Sequence, residues 1–267
     1  MINLINSKNK GQSSSPWVPT ELGTSVLRAW YDISTVDGDF VTTDGGTGII
    51  GLTDRSGNGY SGGTLHFASW KPQLNVGAEG FTRALSAAGS NYRLDFPTWG
   101  ISGIDQHTVL FAFHAGVSLY TDAGYVRIGD KPPAESNAFN FAAHIPAIVN
   151  RSGGYIFNDT LDPLPVDEGR NIYCVRVAAP TPLSSIRFNI NGEDYIEPNV
   201  GSMPNPLSAG GGIGTPTSAA FLAEALIIKG LLSDSDRQKC EGYLAHKHDI
   251  TDKLPVTHPY KTNPPTL

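Results

Sequence analysis

The sequence predicts an all-β sandwich closed by one short C-terminal helix, and three observations carry that prediction. Glycine and proline are abundant, 30 and 19 of 267 residues, while charged residues make up 16 % of the chain against about 25 % in an average domain. From Ser25 onward, short apolar or alternating runs are cut roughly every eight to twelve residues by Gly, Pro, Asn or Asp clusters, the spacing of a sandwich or barrel. Hydrophobic residues at 39 %, with 4 Trp, 10 Tyr and 11 Phe, supply a core and argue against wholesale disorder.

Residues 1–20 mix small polar residues, Lys and two prolines and read as an arm or linker; Trp17, between Pro16 and Pro19, is the expected docking point for a partner protein. The domain proper is expected over 21–250. Its strands are expected at 26–31, 92–96, 107–115, 125–128, 138–142, 155–157, 171–178, 185–190 and 221–228. The run ending in Ile190 meets Asn191-Gly192, which supplies positive φ cheaply, so a hairpin turns there. The stretch 208–217 (SAGGGIGTPT) reads as a loop leading into the last strand. The helix is expected at about 233–248. Ser233 caps it with Asp236 three residues on, and Cys240, Tyr243, Leu244 and Lys247 fall on one face. Residues 251–267, with four prolines, read as an extended tail.

Composition removes several function classes. A net charge of −6 gives no electrostatic footprint for a phosphate backbone, so no nucleic acid is expected as a partner. Apolar runs fall well short of the roughly 20 residues a spanning helix needs, and residues 1–10 carry no apolar segment of a secretory signal. Cys174 and Cys240 lie in an apolar strand and on an apolar helix face, the setting of two buried free thiols made in a reducing cytoplasm.

Two stretches resemble a known family. Leu27-Arg28-Ala29-Trp30-Tyr31-Asp32, followed by Asp54-Arg55-Ser56-Gly57-Asn58-Gly59, is similar to the W-x-D … D-x-S-G-N-G opening of laminin-G-like, concanavalin A-like lectin/glucanase modules. Ala223-Glu224-Ala225-Leu226-Ile227-Ile228, Leu232-Ser233-Asp234-Ser235-Asp236-Arg237, Glu241-Gly242-Tyr243-Leu244-Ala245-His246-Lys247 and His258-Pro259-Tyr260 resemble the AEIIVY … LSDxER … EGYLAHKWGL … LPxxHPY ending of such modules in bacterial and phage proteins. The departure is at His248-Asp249-Ile250, where Trp-Gly-Leu is usual. Between Gly63 and Thr217 only strand spacing and the hairpin at Asn191-Gly192 fit. The resemblance implies a concanavalin A-like jelly-roll sandwich of two antiparallel sheets, a fold that carries lectins, hydrolases and architectural modules alike.

Function therefore rests on sites. Hydrolases of this fold commonly carry E-x-D-x-E on one strand face, and the nearest cluster, Glu193, Asp194 and Glu197, instead follows a hairpin tip. Gly46-Thr47-Gly48-Ile49-Ile50-Gly51 matches G-x-G-x-x-G by letter but precedes a turn, not a helix. No catalytic residue is assigned and an enzyme is not expected. Asp32, Asp37, Asp39 and Asp54, with Asp44 and Asn58, form the best oxygen-ligand set for calcium, against which stands the ordinary use of Asp in turns. His246, His248 and His258 lie close in sequence, but i, i+2 on a helix points two side chains apart. Glu224, inside an apolar strand, is expected to be a buried, hydrogen-bonded carboxylate. Glycan stacking would use Trp70, Trp99, Tyr120 or Tyr125, all equally at home in a core.

The leading expectation is a non-enzymatic bacteriophage virion structural protein: a capsid decoration, head-fibre or tail-associated module docked to other virion proteins through its arm. The alternative is a carbohydrate-binding, host-receptor module of a tail fibre, with a glycoside hydrolase third. Proteins of this kind often form homo-oligomers.

Overall fold

The computed structural model describes residues 15–35, 40–65, 71–86, 93–96, 99–101, 105–115, 126–129, 138–141, 149–150, 154–155, 169–178, 186–195, 211–214 and 220–267. Along them run β1 (Leu27–Asp32), β2 (Val41–Thr43), β3 (Ile49–Leu52), β4 (Thr64–Leu65), β5 (Gln73–Val76), β6 (Arg83–Ser86), β7 (Arg93–Phe96) and β8 (His107–Ala115). There follow β9 (Val126–Gly129), β10 (Ala138–Phe141), β11 (Val149–Asn150), β12 (Gly154–Tyr155), β13 (Gly169–Val177), β14 (Ile186–Ile190), β15 (Glu193–Tyr195), β16 (Gly211–Gly214) and β17 (Phe221–Lys229). One helix, α1 (Asp234–Lys247), closes the fold.

The larger sheet runs β15-β14-β13-β8-β17-β6-β5, with β1 also paired to β17; the smaller runs β10-β9-β16-β7-β4. All the pairings are antiparallel. The long central strands β8, β13 and β17 read as nearly continuous apolar runs because both of their faces are covered. One face, with Tyr31, Phe111, Phe113, Tyr173 and Ile227, packs on Leu94, Phe96, Val126 and Ile213 of the smaller sheet. The other, with Trp30, Leu110, Ile172, Cys174, Leu226 and Ile228, packs on Cys240, Leu244 and Ala245 of α1. The result is an all-β sandwich with one helix on its outer face.

Several expected elements are where the sequence placed them. Asn191 and Gly192 have φ of 51° and 86°, the left-handed pair a tight hairpin needs. The Ser233 hydroxyl accepts from the Asp236 N–H at 3.1 Å and caps α1. Both cysteines are free and buried, and burial pushes both thiols well above the ordinary thiol range.

Three expectations are corrected. The glycine stretch at 208–217 holds strand β16, buried and paired with β7 on one side and β9 on the other; two ladders outweigh the poor strand propensity of glycine. The arm is not free from residue 15 onward. Trp17 is only 5 % exposed, lies edge-on to Tyr243 at 6.2 Å, and donates its backbone N–H to Pro265 O at 3.0 Å. It is thus a core residue and not an accessible docking point. The tail is not an extended strap: it makes a 3-10 turn at Thr251–Lys253, buries Leu254 and His258, and returns to pair Thr266 with Pro16.

Candidate functional site

The chemistry-bearing side chains converge where β1, β17 and the C-terminal end of α1 meet. Asp32 and Glu224 are opposite one another in the β1–β17 pairing, beside an irregularity in β17 between Leu222 and Glu224, and both side chains are fully buried. Lys247, in the last turn of α1, places Nζ 2.6 Å from Asp32 Oδ2 and 2.7 Å from Glu224 Oε2. The rest of the Glu224 carboxylate is also used. Trp30 Nε1–H donates to Oε1 at 2.6 Å, Tyr243 OH donates to Oε1 at 3.1 Å, and His248 Nε2 lies 2.9 Å from Oε2.

Asp32 is equally committed. Ser34 and Thr35 hydroxyls donate to it at 2.8 and 2.5 Å, and Arg55 pairs with its Oδ2. The Arg55 guanidinium is itself held between the rings of Trp30 and Phe40, at 4.2 and 4.3 Å from their centroids. Burial alone would raise the Asp32 carboxyl, but the Lys247 ammonium and the two hydroxyls outweigh it and hold the pKa at about 2. Burial, with Glu224 next, pushes the Tyr243 phenol far up, so Tyr243 acts as a hydrogen-bond donor. Two cations against two carboxylates leave this junction balanced.

A second buried pair locks the other end of the helix face. Arg237 donates to both oxygens of Glu241 at 2.7 Å, and His258 Nε2 stands 3.3 Å from Glu241 Oε2.

Beside the junction opens a cleft of about 450 Å³ lined by Ser34, Thr35, Gly80, Phe81, Thr82, Arg170, Lys247, His248 and Asp249. Arg170 Nη1 donates to His248 O at 2.6 Å and to Gly80 O at 3.3 Å. Its Nη2 is 3.9 Å from the exposed Asp249 carboxylate.

The site residues suggested by the sequence fall apart spatially. Asp32 is spent on cations. Asp54 accepts from the Trp30, Ser56 and Tyr60 backbone N–H groups at 3.0, 2.8 and 3.0 Å, the Asx role of a turn residue. Asp44 pairs with Lys71, and Asn58 Nδ2 donates to the carbonyls of Leu27 and Arg28. Asp32 and Asp54 therefore offer calcium no shared open face, and among the described residues no group of three or more His, Cys, Asp or Glu could hold a metal ion. Asp37 and Asp39 lie outside the described residues. Trp99 is 1 % exposed and donates Nε1–H to Tyr31 OH at 2.9 Å, so it is a core residue and not a stacking platform. Trp70, Tyr120, Tyr125 and Glu197 lie outside the described residues. His246 reaches Tyr260 O, apart from the partners of His248 and His258. The glycine stretch at 46–51 lies in and beside the β2–β3 hairpin, with no helix after it. Of the suggested residues, Glu224 alone sits as expected in a hydrogen-bonded buried network; Lys247, His248, Arg170 and Asp249 were not singled out as a group.

No protein-family model matches the chain, and no curated protein matches it significantly. Solved structures do. The chain is similar to the binding domain of botulinum neurotoxin DC in complex with rat synaptotagmin II, at 10 % identity, 82 % of this chain, 52 % of that one and a TM-score of 0.50. It is similar to the binding domain of Paraclostridial Mosquitocidal Protein 1, at 12 % identity, 81 % and 52 % coverage and a TM-score of 0.50. A third likeness is to Domain 4 of AbnA, a GH43 extracellular arabinanase from Geobacillus stearothermophilus, in complex with arabinotriose: 16 % identity, 79 % and 96 % coverage, TM-score 0.49. The chain spans about half the length of the two toxin binding domains. At these identities the likeness concerns architecture alone: an all-β sandwich of antiparallel sheets with a short C-terminal helix.

Proposed function

We propose that this chain is a non-enzymatic structural protein of a bacteriophage virion, a capsid decoration, head-fibre or tail-associated protein that uses its lectin-like sandwich for protein or glycan contact. The observation that carries the non-enzymatic part is the commitment of Asp32 and Glu224 to one ammonium. Glycoside hydrolysis needs two carboxylates facing a sugar. Here the two buried carboxylates that face one another across β1 and β17 are bound to Lys247, and among the described residues Asp249 is the one carboxylate lining the adjacent cleft.

The virion part is supported by the opening and closing motifs, which resemble modules of bacterial and phage proteins. Contact with other virion proteins is assigned to residues 1–14, since Trp17 belongs to the core. A second reading, a host-receptor adhesion module, is favoured by the polar lining of the cleft; the fold is one that two toxin binding domains share.

Gold-tagged antibody against this chain on intact phage particles tests the proposal. Label over the capsid supports decoration or a head fibre, and label at the tail tip supports adhesion. Particles that carry no label, in a lysate that contains the chain, overturn it.

A further inference from the structure

We infer that the cleft between the C-terminal end of α1 and the turn at Ala78–Gly80 is a binding site for a neutral saccharide, with Arg170 and Asp249 as its paired donor and acceptor. The inference rests on the glycan-contact branch of the proposed function and assigns it a place.

Geometry comes first. A volume of about 450 Å³ lies within the roughly 300–1,000 Å³ of small-molecule sites. Its wall is hydroxyl-bearing, with Ser34, Thr35 and Thr82. Of its cations, Lys247 has all three N–H donors in reach of Asp32, Glu224 and Tyr243 and offers a ligand nothing more.

Arg170 is different. Nη1 is fixed by two backbone carbonyls, and Gly80 leaves room for the guanidinium, since a Cβ there would stand 3.2 Å from it. The group is therefore held rigid while Nη2 still faces Asp249 across 3.9 Å. That gap is too wide for a hydrogen bond. Two adjacent hydroxyls of a sugar span it, one accepting from the guanidinium and the other donating to the carboxylate. One base and one acid at the mouth cancel, which favours an uncharged ligand over a uronate or sialylated one.

The end of the helix places Asp249. Its φ of 54° is that of the left-handed residue that closes α1, with the Ile250 N–H returning to Ala245 O at 2.8 Å, and its side chain is 92 % exposed. Glycine is the usual residue there in the ending this chain resembles, so ending the helix does not require the carboxylate.

The test is a glycan array of neutral hexose and N-acetylhexosamine oligomers beside uronate and sialylated ones, followed by calorimetry with the best neutral hit. Asp249→Gly relieves the backbone while removing the carboxylate, so its melting temperature is expected unchanged or higher and its affinity at least tenfold lower. Arg170→Lys keeps the charge and loses the fork, with a similar loss of affinity expected. Neutral binding that survives both substitutions overturns the cleft assignment and leaves glycan contact standing. Binding confined to the acidic glycans overturns the ligand class. No binding anywhere on the array overturns the inference, while particle labelling still decides the virion proposal separately.

Discussion

Asp32 and Glu224 face one another across the β1–β17 pairing, and the single ammonium of Lys247 lies 2.6 Å from one carboxylate and 2.7 Å from the other. Like charges opposite one another on neighbouring strands are destabilising, and burial makes each costlier still. Lys247 comes from α1, so the helix must finish at this point for the sheet to carry both acids. Arg55, gripped by Trp30 and Phe40, supplies the second positive charge. The junction thus fixes where the helix lies on the sheet, and the cleft beside it inherits that position.

Acid sensitivity is expected in two windows. Burial lowers the His107 pKa to about 4, below its unfolded value of about 6.5. The stability it contributes is full above about 6.5 and is lost as pH falls toward 4. Asp32 is held at about 2 against an unfolded value of about 3.9, so its contribution is present above about 4 and lost as pH falls toward 2. Urea unfolding midpoints across pH 2–8 should show both steps, and Asp32→Asn should flatten the lower one while weakening the fold throughout. A lower step of unchanged size in that variant would contradict the assignment.

Trp17 packs edge-on against Tyr243 at 6.2 Å. Removing residues 1–20, or making Trp17→Ala, takes away a buried aromatic and should cost about 3–5 kcal/mol. Chemical denaturation of the variants reads the difference directly.

Strand β16 gives a third test. Ile213 is fully buried between the sheets, and Ile213→Ala should cost about 2–5 kcal/mol. A loss below about 0.5 kcal/mol, in the range of a surface loop, would show that the glycine stretch is not a strand.

The long elements were legible because local pattern and tertiary role agree in them: β8 was expected at the residues it occupies, and α1 is set by a Ser233 cap that needs no distant partner. What failed depends on residues far away in sequence. Gly211–Gly214 is strand only because β7 and β9 supply its hydrogen bonds. Short strands such as β5, with Gln73 and Asn75 in it, carry too little apolar alternation to announce themselves. Proline-flanked Trp17 looks like a linker until Tyr243 is placed under it. Glu224 was legible as buried from its apolar neighbours, whereas its partners Lys247 and His248 became visible only once the helix was laid on β17.

The most direct measurement is urea unfolding of Lys247→Met beside the double variant Lys247→Met, Glu224→Gln. Removing the ammonium alone leaves two buried carboxylates against the one guanidinium of Arg55 and should cost about 3 kcal/mol or more; the double variant, in which Asp32 stays paired with Arg55 and the side-chain amide still offers Trp30 an acceptor, should recover most of that loss. A single variant within about 0.5 kcal/mol of the parent, the ordinary range of a surface substitution, would show that the junction does not hold the helix to the sheet.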